Sequence, residues 1–305
     1  MADATVLVDS PGGIGNRAEP GAGHPELRVL RRRHPWRQFS AVVALAVLAG
    51  MVWSLANNPN VGIDLVREYL TAPAILRGIG VTLYLTVVAM VLGVSGGVLM
   101  AVMRLSDNAV LSGIAKFYIW IFRGTPMLVQ LIFWAYAGAI YPTISIGVPF
   151  TDIVFWSSQT ADLIDPMMAA LLALTFNQVA YASEIIRGGI LSVDHGQTEA
   201  AYSLGMGPAR TMRRIVLPQA MRTIIPPMGN DVISMLKTTS LVSVIGGQDL
   251  MTTVQFIYSE NFQVIPLLIV ASLWYLFFTT LLAIPQSWLE KRYGRGVASQ
   301  VRRGV

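Results

Sequence analysis

The chain contains no cysteine, and charged residues make up only 13% of its 305 positions. Soluble globular proteins carry about a quarter charged residues, so this composition argues against a soluble protein. The absence of cysteine excludes disulfides, thiolate metal sites and cysteine catalysis. The histidines, His24, His34 and His195, lie too far apart to suggest a multi-histidine metal site. The sequence therefore predicts no catalytic centre, no metal site and no cofactor.

Long apolar runs take the place of the missing charges, and they indicate membrane spans. About six candidates occur, at residues 39–56, 78–102, 126–141, 166–186, 224–247 and 265–285. The third could begin as early as Phe117, and the fifth is irregular because it contains Asp231 and Lys237. The predicted fold class is an all-α integral membrane protein.

The distribution of lysine and arginine predicts how these spans are oriented. Residues 142–165 and 248–264 contain neither, whereas basic residues cluster in 1–38, 187–223 and 286–305. Positive residues concentrate on the cytoplasmic side of a membrane. We therefore expect a multi-pass protein of the plasma or inner membrane with both termini in the cytoplasm. The net charge of +5 then reports topology, and no nucleic acid partner is expected.

Both ends of the chain are expected to lie outside the membrane. Residues 1–38 are rich in Pro, Gly and Arg and show little periodicity, so they are predicted to form a disordered cytoplasmic tail. Residues 286–305 are predicted to form a second cytoplasmic tail.

A polar, basic segment, EAAYSLGMGPARTMRRIVLP, lies between the fourth and fifth spans. Asp194 and Gln197 have the spacing of a capping box, which predicts a helix start. Two glycines are expected to end this helix, Gly205 and Gly207. Pro208 is suited to open a second helix, which Pro218 should interrupt. The segment is therefore predicted to form a helical hairpin in the cytoplasm, over residues 194–218.

The residues of this hairpin resemble the cytoplasmic-loop motif of ABC importer permeases. The resemblance rests on Glu199-Ala200-Ala201, then Gly205, Ile215 and Leu217-Pro218. The neighbouring words RGTPMLVQ, AYASEIIRGGILSV, LPQAMRTIIPP and KTTSLVSVI resemble the polar amino acid uptake subfamily. The similarity covers residues 79–285, the permease transmembrane domain, so that 39–56 is expected to be an extra transmembrane helix added to a five-helix core.

The resemblance implies a permease that moves an amino acid delivered by an extracytoplasmic solute-binding protein. It also implies two partner ABC ATPase subunits, which hydrolyse ATP, and a second permease, identical or related. The hairpin is then the coupling element that docks on an ATPase. The residues expected to couple are Glu199, Ala200, Ala201, Gly205, Gly207, Leu217 and Pro218.

Three polar residues inside the predicted spans are candidates for the solute pathway, namely Asn177, Glu184 and Lys237. Such residues usually face a bundle interior or a cavity. Glu184 and Lys237 carry charges complementary to the ammonium and carboxylate of an amino acid. They could equally pair with each other or with backbone at helix ends. Asp231 is expected to satisfy backbone groups near Pro226 rather than to bind solute.

Alternatives to an ATP-driven importer remain open at this point. The first is a secondary transporter driven by an ion gradient, which has no ATPase to dock. A membrane enzyme is a weaker alternative, because no arrangement of nucleophile and base stands out. The word RGTP at residues 123–126 is interpreted as a turn at the membrane surface. The word GVSGG at residues 93–97 is interpreted as close helix packing rather than a phosphate loop.

Overall fold

A computed structural model describes residues 35–148 and 153–293. The chain divides into two units, Met1–Ser54 and Leu55–Val305. The first unit contributes most of helix α1, Pro35–Ala56, whose described apolar side chains are exposed. The predicted N-terminal tail falls largely outside the described residues, although α1 begins before its expected end at residue 38.

The second unit is mostly helical. Its helices are α2 Ile63–Leu70, α3 Pro73–Arg104, α4 Ala109–Gly124, α5 Met127–Ala135, α6 Ala137–Ile140, α7 Thr160–Leu163, α8 Pro166–Leu191, α9 His195–Ser203, α10 Pro208–Thr211, α11 Leu217–Thr238, α12 Leu250–Asn261 and α13 Val264–Tyr293. Two 3₁₀ turns, Pro59–Val61 and Thr239–Ile245, and one π-helical turn, Met212–Val216, lie between them. Helix α13 continues eight residues into the segment expected to be the C-terminal tail, and residues 294–305 are not described.

Three helices, α3, α8 and α13, are long and apolar enough to cross a membrane, as predicted for 78–102, 166–186 and 265–285. The number rises to five if two pairs of shorter helices each count as one span. The expected count of six is therefore not confirmed.

The predicted third span is not one helix: residues 126–141 hold α5 and α6, and the earlier start at Phe117 would cross a bend of 101° between α4 and α5. The bend lies at Thr125 and Pro126, between the last residue of α4 and the first of α5. Pro126 has no backbone N–H, and it disfavours the helical conformation for the residue before it. The apolar run across this point therefore predicts helix but not the direction of the chain.

A β-hairpin in the connection after α6 departs from the predicted all-α class. Strand β1, Thr143–Gly147, pairs antiparallel with strand β2, Val154–Gln159. Ile144 lies opposite Ser158, and Ile146 lies opposite Trp156. β-branched and aromatic residues alternate with serine here, which favours strands over helix.

Helices α3 and α8 pack closely through the glycines of the GVSGG word. A Cβ atom added at Gly93 would lie 2.5 Å from Cγ of Gln178, and one added at Gly97 would lie 2.6 Å from Cβ of Ala182. Both distances are shorter than real side chains allow, so only glycine permits this approach. The interpretation of GVSGG as a packing element is confirmed.

The buried start of α12 is held by Asp249. Its carboxylate accepts hydrogen bonds from the backbone N–H of Met251 at 3.0 Å and of Thr252 at 3.2 Å. The backbone N–H of Leu250 donates to the hydroxyl of Thr82 on α3 at 3.0 Å. These bonds satisfy the first donors of the helix and attach it to α3.

Candidate functional site

The polar hairpin between α8 and α11 begins with the N-cap predicted at Asp194, although among the described residues no bond from the Gln197 side chain completes a capping box. The Asp194 carboxylate accepts a hydrogen bond from the N–H of Gly196 at 2.7 Å, and α9 begins at His195, directly after Asp194. Gly205 follows the end of α9 with a φ of 75°. The N–H of Met206 then donates to the carbonyl of Ala201 at 3.0 Å. The chain therefore reverses direction at Gly205, where a side chain would be strained.

The second half of the hairpin differs from the prediction at Pro218. Helix α10 begins at Pro208 as expected, but Pro218 does not interrupt the helix. A π-helical turn, Met212–Val216, instead joins α10 to α11. Pro218 lacks an N–H and would clash with the carbonyl four residues before it in a regular helix. The wider turn accommodates this proline, so the chain from Pro208 to Thr238 stays helical.

Most of the residues expected to couple lie on the hairpin surface. The exposed members are Glu199, Ala200, Gly205, Gly207, Leu217 and Pro218. The Glu199 carboxylate lies 3.5 Å from Nδ1 of His195 on the same helix. Ala201 is only 4% exposed, so its small side chain serves packing within the hairpin. Leu204, which was not among the residues expected to couple, is 83% exposed at the hairpin tip. Its position directly before Gly205 is the sequence feature that could have identified it.

A cavity of about 530 Å³ lies between the α4–α5 corner, α8 and α11. Its polar lining includes Arg123, Asn177, Gln178, Tyr181, Asp231 and Thr238. This volume falls within the range of small-molecule sites, and the lining combines apolar side chains with a few polar groups. Among the described residues, no group of three or more His, Asp or Glu side chains could hold a metal ion.

Arg123 brings a positive charge to this cavity, although the sequence suggests only a structural turn there. Its guanidinium lies 5.2 Å from the centre of the Tyr181 ring, and Nη1 lies 3.9 Å from a carboxylate oxygen of Glu184. Glu184 accepts two hydrogen bonds from Arg187, at 3.0 and 2.7 Å. Glu184 therefore pairs mainly with Arg187 and lies more distantly from Arg123, and it does not line the cavity.

Asp231 brings a negative charge to the same cavity. Its carboxylate accepts a hydrogen bond at 3.2 Å from the amide of Gln178, and no hydrogen bond to the backbone near Pro226 is seen among the described residues. The expectation that Asp231 satisfies backbone is wrong. The α8–α11 contact supplies a glutamine donor instead, so that this half-buried carboxylate is held at the cavity wall.

Of the three candidates for the solute pathway, only Asn177 lines the cavity. Its amide donates to the carbonyl of Phe122 at 3.1 Å and to Oε1 of Gln130 at 3.2 Å. Lys237 is exposed, and it forms no ion pair with Glu184 in the described part of the chain. The roles of all three in transport stay predictions.

The comparisons with known proteins identify the family. Residues 93–295 match the model of the family described as "binding-protein-dependent transport system inner membrane component". An arginine transport system permease protein of Corynebacterium glutamicum is 44% identical over 281 residues, which cover 91% of this chain and 87% of that protein. A nopaline transport system permease protein of Agrobacterium fabrum is 38% identical, covering 72% of this chain and 88% of that protein.

Solved structures agree with these relatives. A crystal structure of an amino acid ABC transporter with histidines is 36% identical, with a TM-score of 0.61, and covers 72% of this chain and 94% of that chain. An inward-facing methionine ABC transporter is similar in fold, at 19% identity and a TM-score of 0.54, covering 72% of this chain and 96% of that chain.

These findings favour the importer over the secondary transporter and the membrane enzyme. The relatives are permease proteins, that is, transport components rather than enzymes. From its glycine-packed spans to its polar hairpin, the chain belongs to the family of binding-protein-dependent transport system inner membrane components.

Proposed function

We propose that this chain is the permease subunit of an ATP-driven importer for amino acids, and that it passes cationic ones such as arginine. The observation that carries the proposal is the cavity with Arg123 on one wall and Asp231 on another. The similarity to an arginine transport permease supports the same choice of solute.

The two charges in the cavity are complementary to an amino acid. The guanidinium of Arg123 suits the α-carboxylate, because a fork of N–H donors matches the two oxygens of a carboxylate. The carboxylate of Asp231 suits an ammonium or a cationic side chain, and Gln178 keeps it in place at 3.2 Å. When such a solute enters the cavity, Arg123 and Asp231 lose contact with water. The charges of the solute then replace the water as partners of both groups.

The hairpin of residues 194–218 is proposed to dock on an ABC ATPase. Its exposed tip, with Leu204 at its end, offers one large apolar side chain to a groove on a partner. Leucine burial of this kind stabilises an interface by about 1.5–3 kcal/mol. The complex then contains two ATPases, a second permease that is identical or related, and an extracytoplasmic solute-binding protein.

The proposed topology is that of a plasma or inner membrane protein with six spans. Both termini then lie in the cytoplasm. Residues 39–56 form the extra span, and 79–285 form the permease domain. The segments 1–38 and 286–305 are cytoplasmic. The absence of lysine and arginine from 142–165 and 248–264 supports this arrangement.

Reconstitution tests the proposal directly. The complete complex in lipid vesicles, given loaded binding protein, should accumulate labelled arginine when ATP is supplied to the ATPase side. An ion gradient without ATP should drive no uptake. Uptake driven by the ion gradient alone would contradict the assignment. ATP-driven uptake of another labelled solute that excess unlabelled arginine does not reduce would contradict it as well.

Variants then test the cavity. Arg123→Met and Asp231→Asn should each lower the amount of solute moved per ATP hydrolysed. Lys116→Met, which removes a charge from an exposed position on α4, is the matched control and should resemble the parent. Lys237→Met is informative because Lys237 does not line the cavity: loss of transport in it would give this residue a role in the conformational cycle.

A further inference from the structure

The corner between α4 and α5 leaves a backbone carbonyl without its helical partner. In a regular helix the carbonyl of Phe122 would accept from the N–H four residues later, which is position 126. That residue is Pro126, which has no N–H. An unsatisfied carbonyl in a membrane protein costs several kcal/mol when no water reaches it. A replacement donor for this carbonyl therefore stabilises the corner.

Gln130, on the first turns of α5, supplies that donor. It is only 6% exposed. Its Nε2 donates to the carbonyl of Phe122 at 2.9 Å, to the carbonyl of Thr125 at 3.1 Å and lies 2.9 Å from the Thr125 hydroxyl. Backbone carbonyls only accept hydrogen bonds, so the nitrogen end of the amide must face the corner.

The other end of the same amide is attached to α8. Oε1 of Gln130 accepts from Nδ2 of Asn177 at 3.2 Å, and this nitrogen also donates to the carbonyl of Phe122 at 3.1 Å. Both N–H groups of Asn177 are thus directed at the corner. The side-chain amides of Gln130 on α5 and Asn177 on α8 both donate to the carbonyl of Phe122. Together they connect the corner to α8.

Arg123 is the residue that this arrangement affects most. It follows Phe122 directly, and Thr125 lies two residues further on, so the backbone of Arg123 is held on both sides. From this position its guanidinium reaches over the Tyr181 ring at 5.2 Å. A corner that opened or rotated would carry Arg123 away from the cavity wall.

We propose that Gln130 is a positioning residue for transport: with Asn177 it fixes the α4–α5 corner on α8 and thereby places Arg123 in the solute cavity. This inference rests on the proposed role of the cavity in binding an amino acid. It also gives Asn177 a different role from the one its sequence suggests, because its amide donates to the corner and not to the cavity.

A purely structural role is the competing explanation, and a matched pair of variants separates the two. Gln130→Met keeps the shape of the side chain and removes its hydrogen bonds. Gln286→Met is the control: Gln286 is 7% exposed and donates at 2.7 Å to the carbonyl of Pro226, but it does not line the cavity. Each should lower the amount of folded protein.

The experiment measures two quantities on the complete complex in vesicles. The first is the amount of arginine moved per ATP hydrolysed. The second is the distance between spin labels on cysteines placed at Lys116 on α4 and Phe133 on α5, both exposed, in a chain with no other cysteine. For Gln130→Met we expect a broader distance distribution and about a tenfold loss of solute per ATP, the factor expected for one buried hydrogen bond. For Gln286→Met we expect both to match the parent.

The inference is overturned if Gln130→Met keeps the parent's label distances and solute per ATP. If this variant does not insert, Asn177→Leu replaces it, since that change keeps the bonds of Gln130 to the corner and removes the attachment to α8. Because Asn177 also lines the cavity, the label distances decide for this variant, and distances that match the parent overturn the inference. A parent complex that moves no amino acid contradicts the proposed function. In that case the label distances alone test whether Gln130 holds the corner.

Discussion

Replacing Gly205 tests whether the reversal at the hairpin tip is needed for coupling. Gly205 has a φ of 75°, and a Cβ added there would meet no atom within 4 Å. A side chain at this position is therefore strained by the backbone alone and collides with nothing in this chain. The left-handed conformation costs an ordinary residue about 1–2 kcal/mol, and more for a branched side chain.

The size of the effect follows from that strain. A cost of about 2 kcal/mol lowers the population of the native reversal by about 30-fold relative to other arrangements of the tip. Gly205→Val should therefore reach the membrane but lose most of its transport per inserted molecule. Gly205→Asn should lose less, because asparagine tolerates positive φ better than other residues.

Gly246 provides the control. Its φ is 74°, and it too has open space around the missing Cβ, but it lies outside the hairpin. Gly246→Val should carry the same strain and lower the yield of folded protein without lowering solute moved per inserted molecule. ATP-driven uptake, divided by the amount of permease in the membrane, is the measurement. Equal uptake from Gly205→Val and Gly246→Val would refute the argument that the reversal at Gly205 presents the tip to the ATPase.

Further predictions concern packing, topology and capping. Gly97→Val should lower the unfolding temperature of the purified protein by crowding α8, at a cost of about 1–3 kcal/mol, whereas Gly113→Val at an open position should change it little. A cysteine at exposed Ser157 should react with an impermeant thiol reagent added outside intact cells, and one at Ala209 should not; the reverse pattern contradicts the topology. Asp249→Ala should destabilise the start of α12 by about 1 kcal/mol, visible as a lower unfolding temperature.

The features predicted well from the sequence are those encoded locally. The start of α9 at Asp194 depends on a cap within two residues, and the close approach of α3 and α8 depends on glycines within one short word. The three long spans are equally local, because length and apolar composition are enough to identify them.

The features missed by sequence reasoning depend on distant partners. The bend at Pro126 is stabilised by Asn177, whose partner Gln130 lies 47 residues away in the chain. Asp231 was misjudged for the same reason, because it meets Gln178 only when α8 packs on α11, 53 residues apart. No local pattern contains these contacts, so neither the corner nor the cavity follows from the apolar runs that surround them.

The π-helical turn that carries Pro218 has a mechanical consequence. Because it keeps the chain helical from Pro208 onward, the hairpin and Asp231 lie on one lever. At 1.5 Å per residue, the path along this lever from Pro208 to Asp231 is about 35 Å at most, because Pro226 and Pro227 lie within the helix and each removes a backbone hydrogen bond. If the hairpin docks on an ATPase as proposed, a tilt of about 5° at Pro208 that the helix transmits in full displaces the Asp231 carboxylate by about 3 Å, the length of a hydrogen bond. A small rotation of the hairpin is then enough to move one charge at the cavity wall.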